Sequence, residues 1–445
     1  MWQGLGDGRR LPESIAFEGS GDLPSIFAVS DFAAAAVGLA GLAVAELIGH
    51  AFGECPVVRV NRRLASLWFG FSITPEGWSL PTPWDPIAGD YAAADGWIRL
   101  HTNAPHHREA ALAVLRVPAE KTEVERAVAG WKIEELEAAV IERGGCAAAM
   151  RSREAWQRHP QGAKVREEPL IAHRQMPDVD TVAWRPSRAR PLAGLRVLDL
   201  TRVLAGPVAT RFLAGFGAEV LRIDPPDWDE PVVVPEVTLG KRCARLDLKE
   251  PGARGHLQRL LAGSHVLVHG YRADALEALG LGAEARREIR PGLVDVCLDA
   301  YGWSGPWCNR RGFDSLVQMS CGIAEAGMRR LGRSRPTPLP VQALDQATGY
   351  LMAAAAVRGL TERLRNRRGY EARTSLARTA ELLMDGPAGR ADSTFAPASG
   401  DDWSAPLEHT SFGPVHRAQA PLAVAGAAMH WERPATALGS SPAQW

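Results

Sequence analysis

This sequence lacks a paired-cysteine motif, a net charge and a leader-like start. Its six cysteines, Cys55, Cys146, Cys243, Cys297, Cys308 and Cys321, are scattered without any CxxC spacing, which argues against a zinc site and for a reducing compartment. Lysine plus arginine, 51, equals aspartate plus glutamate, 51, so no global field draws the chain to nucleic acid or to an anionic membrane, and any anion site must be local. The opening MWQGLGDGRR has no basic start leading into an apolar stretch, so no signal peptide is expected. One membrane-like run exists, Phe32 to Ile48, but it is near the lower length for spanning and contains Glu46; its alanines and glycines suit a tightly packed helix of a water-soluble protein better. A cytoplasmic location without membrane attachment is the expectation.

At 445 residues with 46% hydrophobic and 23% charged residues, the chain has the composition of a globular protein and is too long for one ordinary core. From Leu195 the pattern reads as βαβ units: LRVLDL, a loop TRVLAGP, a helix VATRFLAGFG and AEVLRID, with further units at KRCARLDL, HLQRLLAGSHVLVHGY and LVDVCLDAYG. Continuous aliphatic strands alternating with helices predict an α/β fold, a Rossmann-like parallel sheet domain, here joined to a second, smaller α+β domain. The boundaries predicted are a small domain with a helix-strand unit over 20–175, a Pro- and Arg-rich linker over 176–194, the parallel-sheet domain over 195–385, and a largely irregular segment over 386–445, of which 386–402 is expected to be mobile.

Two stretches begin alike. VQALDQATGYLMAAAAV places Asp345 at the mouth of a small-residue run, and AVSDFAAAAVGLAGLAV does the same with Asp31. The two aspartates are 314 positions apart, and the same offset sets Arg59 on Arg373 and Asn61 on Ser375 within the following strand. Three coincidences without a gap, in the order helix then strand, predict a duplicated unit. For either aspartate the choice is between helix N-cap, worth roughly 1 kcal/mol, and a nucleophile aimed into a pocket.

Residues 191–384 resemble the family III CoA-transferases, the formyl-CoA transferase and carnitine CoA-transferase group. The motifs carrying the resemblance are PLAGLRVLDLTRVLAGPVATRFLAGFGAEVLRIDPP, GKRCARLDLKEP, VLVHGYRADALEALGLG, AYGWSGPW, GFDSLVQMSCG and LDQATGYLMAAAAVRGLTERLRNRRG, in the family's order. The first part of the chain is similar to the family's later half: SDFAAAAVGLAGLAVAEL to the catalytic-helix region, AGDYAAADGWIRLH and GGCAAAMRSREAWQRHPQGAK to the small domain and its return. The sequence therefore looks like a rearranged fusion. Two departures stand out: the family's ENFRPG reads HGYRADA, and no GGGGQP-type loop is present.

The resemblance implies an aspartyl nucleophile at Asp345, acyl-CoA and a carboxylic acid as substrates with no resident cofactor or metal, and an interlocked homodimer, with pairing to a second family subunit as a variant. It implies CoA contacts at Val203, Leu204 and Ala205, with Arg222, Lys241, Arg242, Tyr271 and Arg272 near the nucleotide. Gly349 and the alanine run would let CoA's thiol arm approach. For Asp31, which has no adjacent preceding nucleotide-binding half, the cap is preferred. Phe313 stands where a racemase of the family would need a histidine, and phenylalanine cannot transfer a proton. His101, His106 and His107 sit at a strand-to-helix junction without a carboxylate or cysteine at ligand spacing, so metal binding is not expected. The rivals are a non-catalytic partner subunit and a NAD-dependent oxidoreductase suggested by Asp224 at the end of a second strand; TRVLAGP, with one glycine, argues against the latter.

Overall fold

The computed structural model describes residues 1–5, 14–179, 184–271 and 275–445. Its centre is a seven-stranded sheet built from β1 (Ala172–Val179), β2 (Arg196–Leu200), β3 (Glu219–Asp224), β4 (Lys241–Arg245), β5 (Val266–His269), β6 (Val294–Asp299) and β7 (Arg368–Ser375) in the order β4-β3-β2-β5-β6-β7-β1. All neighbours run parallel except β1, which closes the β7 edge antiparallel. Strands of the kind VLVH and VDVC are buried nearly throughout, as expected where a parallel sheet is covered by helices. The sheet order reverses beside β2, so the chain leaves adjacent strand ends in opposite directions and opens a crevice there.

The duplicated unit is visible in full. Helix α1 (Val29–Phe52) and helix α4 (Ala343–Asn366) are both 24 residues long and start and end at the same 314-residue offset. Each leads to a strand whose last residue caps a further helix: Asn61 accepts from the Leu64 N–H and Ser375 from the Arg378 N–H. Even the pairing repeats. Strand Val58–Asn61 lies between Ile15–Glu18, parallel, and Leu422–Val424, antiparallel, as β7 lies between β6 and β1.

The two long helices pack on each other in one core. Alanine and glycine faces permit this closeness, and Glu46 is paired across the seam with Arg358, at 2.6 and 2.7 Å, and with Arg365, at 3.4 Å. Helix α1 is long and apolar enough to cross a membrane by composition, yet most of it is buried inside the protein. This corrects the predicted boundary. Residues 20–175 are not one domain, because α1 shares its apolar surface with α4. The separate unit is smaller: strands Gly89–Ala92, Trp97–Leu100 and Ala147–Ala149 with three helices between them, closed over Tyr91, Ile98, Leu100, Val124, Leu136 and Val140. Strand β1 likewise runs into the predicted linker, of which residues 180–183 lie outside the described residues.

The segment after 385 is mainly loop but it is packed, and the stretch 386–402, expected to be mobile, is tied down: its Gly389 N–H donates to Ile26 O at 2.9 Å and Asp402 pairs with Arg63 at 2.7 Å. Further on, strand Gly413–Arg417 pairs with Ile73–Pro75, Trp431 stacks on Trp68 with ring centres 5.2 Å apart, and the Trp445 indole N–H donates to Leu260 O. Its partners lie hundreds of residues away, where local pattern carries no signal.

Candidate functional site

Helix α4 begins at Ala343 without a capping side chain of its own. Its orphan first-turn donors are met from another helix, α3 (Asp314–Ser320): the N–H groups of Leu344 and Asp345 donate to Asp314 Oδ2 at 2.8 and 2.9 Å. Asp314 is itself held by Gln318, whose amide nitrogen donates to Oδ1 while its oxygen accepts the Leu339 N–H at 2.7 Å. With the cap supplied by Asp314, the Asp345 carboxyl is left over. It makes no hydrogen bond among the described residues, is 7% exposed and lines a cavity of about 360 Å³.

Burial, followed by the neighbouring Asp314 charge, pushes the Asp345 carboxyl well above the ordinary carboxylate range. Burial likewise raises Asp314 to about 6, against the lowering effect of its hydrogen bonds from Gln318, Asp345 and Leu344. Two carboxyls this close and this dry cannot both carry a charge cheaply.

The cavity joins the crevice at the ends of β2 and β6 to the small unit. Of the residues expected to touch CoA, Val203, Ala205 and Tyr271 line it. Val203 adopts the left-handed region, φ 64°, and its N–H is anchored on Glu230 Oε2 at 2.9 Å. Arg272 lies outside the described residues.

Four expectations are corrected. Leu204 is buried and does not line the cavity. Arg222 is fully buried, its guanidinium paired with Asp224 and Glu230, and Lys241 is fully buried on Asp199 at 3.0 Å and on Pro207 O. Both are committed to internal carboxylates, which a buried cation requires. Arg242, next on the strand and so on the opposite face, pairs with Glu219 at 2.6 Å. The same network disposes of the NAD reading, since Asp224 is sealed in and cannot meet a ribose. Gly349 is corrected too: a Cβ there would stand 2.5 Å from Ala205 O and 2.7 Å from Val208 Cβ. It serves the packing of α4 on helix α2 (Ala205–Gly215), not the approach of a ligand.

Sequence reasoning missed several lining groups. Arg202 lies between Trp228 and Tyr271, 4.6 and 5.2 Å from their ring centres; its place beside Val203 was a usable signal. Arg310 and Arg311 come from the loop before α3, and His106 and His107 from helix Pro105–Leu115 of the small unit. Nothing local points to these. Glu137 of the small unit binds both Arg151 and Arg310, at 2.7 and 2.9 Å, and so fixes that loop. Phe313 is sandwiched flat against His101, centres 3.9 Å apart, and His101 is held neutral by burial with its pKa near 3.

Asp31 is a different case. Its side chain does not cap α1; it pairs with Arg62 at 2.8 Å and is 60% exposed. The pocket beside it, about 390 Å³, is lined by Gly19 to Leu23, Arg62 and residues 388–390. Among the described residues no carboxylate accepts from the first-turn N–H groups of α1 as Asp314 does for α4.

Comparison with known proteins bears on the same half of the chain. The family model described as CoA-transferase family III matches residues 192–441. The chain is 32% identical over 206 residues to the acetyl-coenzyme A transferase nodX of Hypoxylon pulicicidum, covering 44% of this chain and 35% of that protein. It is 33% identical over 195 residues to the succinyl-CoA:glutarate CoA-transferase of Mus musculus, covering 40% and 44%. Among solved structures, Rv3272 of Mycobacterium tuberculosis matches at 31% identity over 44% of this chain and 59% of that one, TM-score 0.41. The chain spans about a third to a half of the length of the curated relatives it matches.

Proposed function

The chain belongs to CoA-transferase family III, and from that premise we propose that it exchanges CoA between an acyl-CoA thioester and a carboxylic acid through covalent loading of Asp345. One observation carries the reading: the Asp345 carboxyl stands unpartnered on a cavity while Asp314 performs the capping it would otherwise do.

In this scheme the Asp345 carboxylate attacks the thioester carbonyl and expels CoA thiolate, leaving an acyl-aspartyl anhydride. The thiolate then attacks the aspartyl carbonyl, releases the acid and forms an aspartyl-CoA thioester. An acceptor carboxylate repeats the two steps in reverse. The burial that raises the pKa also strips water from the ionised form, so the fraction that is charged is a stronger nucleophile than a hydrated aspartate. Among the described lining residues, Arg202 and Arg311 are cations that could meet CoA's phosphates, Arg310 being paired with Glu137. His106 and His107 bring the small unit to the cavity within one chain, which favours a self-contained enzyme over a non-catalytic partner subunit. An interlocked homodimer is part of the proposal.

The test is mass spectrometry of protein incubated with a panel of acetyl-, succinyl- and longer acyl-CoA donors, with hydroxylamine trapping. An adduct or hydroxamate at Asp345 is expected, and none with Asp345→Asn. Exchange that survives this substitution overturns the scheme, and a chain that exchanges only after a second family subunit is added restores the partner reading.

A further inference from the structure

A second carboxyl of the cavity has no part in the scheme above. Asp299 ends β6, and it lines the same cavity as Asp345. Its Oδ1 accepts the Gly302 N–H at 2.7 Å, while Oδ2 is buried and has no hydrogen-bond partner among the described residues. An orphaned buried acceptor is costly, roughly 1–3 kcal/mol, and calls for an explanation.

It shares that cavity with the reacting end of α4. Thr348 of α4 and Thr379 of helix α5 (Leu376–Met384) share a hydrogen bond at 2.8 Å. One turn before each of them stand Asp345 and Ser375, and Ser375 is the register partner of Asp299. Leu376, next to Ser375, lines the cavity as well. Burial, with the Glu168 charge nearby, pushes the Asp299 carboxyl well above its ordinary range, while Arg373 and the Gly302 N–H act in the lowering direction. When protonated, a carboxyl is a hydrogen-bond donor.

We propose that Asp299 is a substrate-touching residue whose carboxyl, on binding of the acyl-CoA, turns its unpartnered Oδ2–H into the cavity and donates a hydrogen bond to the carbonyl oxygen of the acyl group under attack by Asp345. The bond strengthens as that oxygen gains negative charge, and the proton stays on Oδ2 throughout, so no net proton transfer is added. This inference rests on the covalent scheme.

The experiment measures the rate at which Asp345 is loaded, using whichever acyl-CoA of the panel loads the wild type fastest. Asp299→Ala is expected to slow loading about 10²- to 10³-fold, the usual effect of losing one oxyanion donor, with KM for the acyl-CoA little changed. Asp299→Asn keeps both the Gly302 contact and an N–H donor, and is expected to stay within about tenfold of wild type. Should Asp299→Ala not fold, Asp299→Ser takes its place, retaining an oxygen for Gly302 but falling short of the ligand. Loading at the wild-type rate in the shortened variant, an asparagine variant as slow as alanine, or a loss confined to KM each overturns the assignment. Absence of any adduct in the wild type instead overturns the covalent scheme itself, and is read before any variant is made.

Discussion

Replacing Asp345 by asparagine should make the protein more stable and inactive at once. The group is buried beside Asp314, and the folded protein holds protons on this pair more tightly than the unfolded chain does. For carboxyls raised in this way the folded state binds the extra proton, so stability is fullest at low pH and falls as pH rises from the unfolded value near 4 through about 6 and beyond. Asp314 alone moves from 3.8 to about 6, about 2 units, and at 1.36 kcal/mol per unit the pair carries a charge penalty on the order of 3 kcal/mol near neutrality. Asparagine removes one of the two charges and should recover about 1–3 kcal/mol at pH 7.5, read as a higher urea midpoint. At pH 4, where both carboxyls are protonated in the folded state, the gain should nearly vanish. A variant less stable than wild type at pH 7.5, or a gain equal at pH 4 and 7.5, would refute the reasoning that Asp345 is a destabilised group kept for chemistry.

The remaining predictions concern packing and ion pairs. Gly349→Ala forces a Cβ to within 2.5 Å of Ala205 O and should cost about 1–3 kcal/mol in thermal unfolding; a neutral change would mean that α2 and α4 are not locked together. Lys241→Met leaves the buried Asp199 carboxylate unpaired and should cost about 3–5 kcal/mol, while the CoA affinity of the folded fraction, measured by calorimetry, stays at the wild-type value. Asp31→Ala breaks only a largely exposed pair with Arg62, so stability should change by less than about 1 kcal/mol and the exchange rate should not change; a tenfold fall would make the first copy a working site.

The site was legible in proportion to how local it was. Asp345 stood out as one of two carboxylates heading small-residue runs, while its preference over Asp31, and the placing of Val203 and Ala205 near the ligand, came from the family resemblance. Arg222 and Lys241 were misread because a cation on a strand gives no sign of whether it faces a ligand or an internal carboxylate; Asp224 and Asp199 decided that. His106, Arg311 and Asp299 come from three separate elements and converge only when the sheet and the small unit are assembled. Gly349 shows the same limit, since a small residue beside a catalytic position reads alike whether it admits a ligand or a neighbouring helix.

What the sequence determined by itself was the alternation that makes a parallel α/β sheet, and the repeat that gives α1 and α4 equal length and spacing, because hydrophobic period and capping are properties of neighbouring residues. The tertiary structure alone decided which of two similar aspartates is set free. Asp314 reaches across to occupy the first-turn N–H groups of α4 and leaves the Asp345 carboxyl without a hydrogen-bond partner among the described residues, whereas Asp31 spends its charge on Arg62.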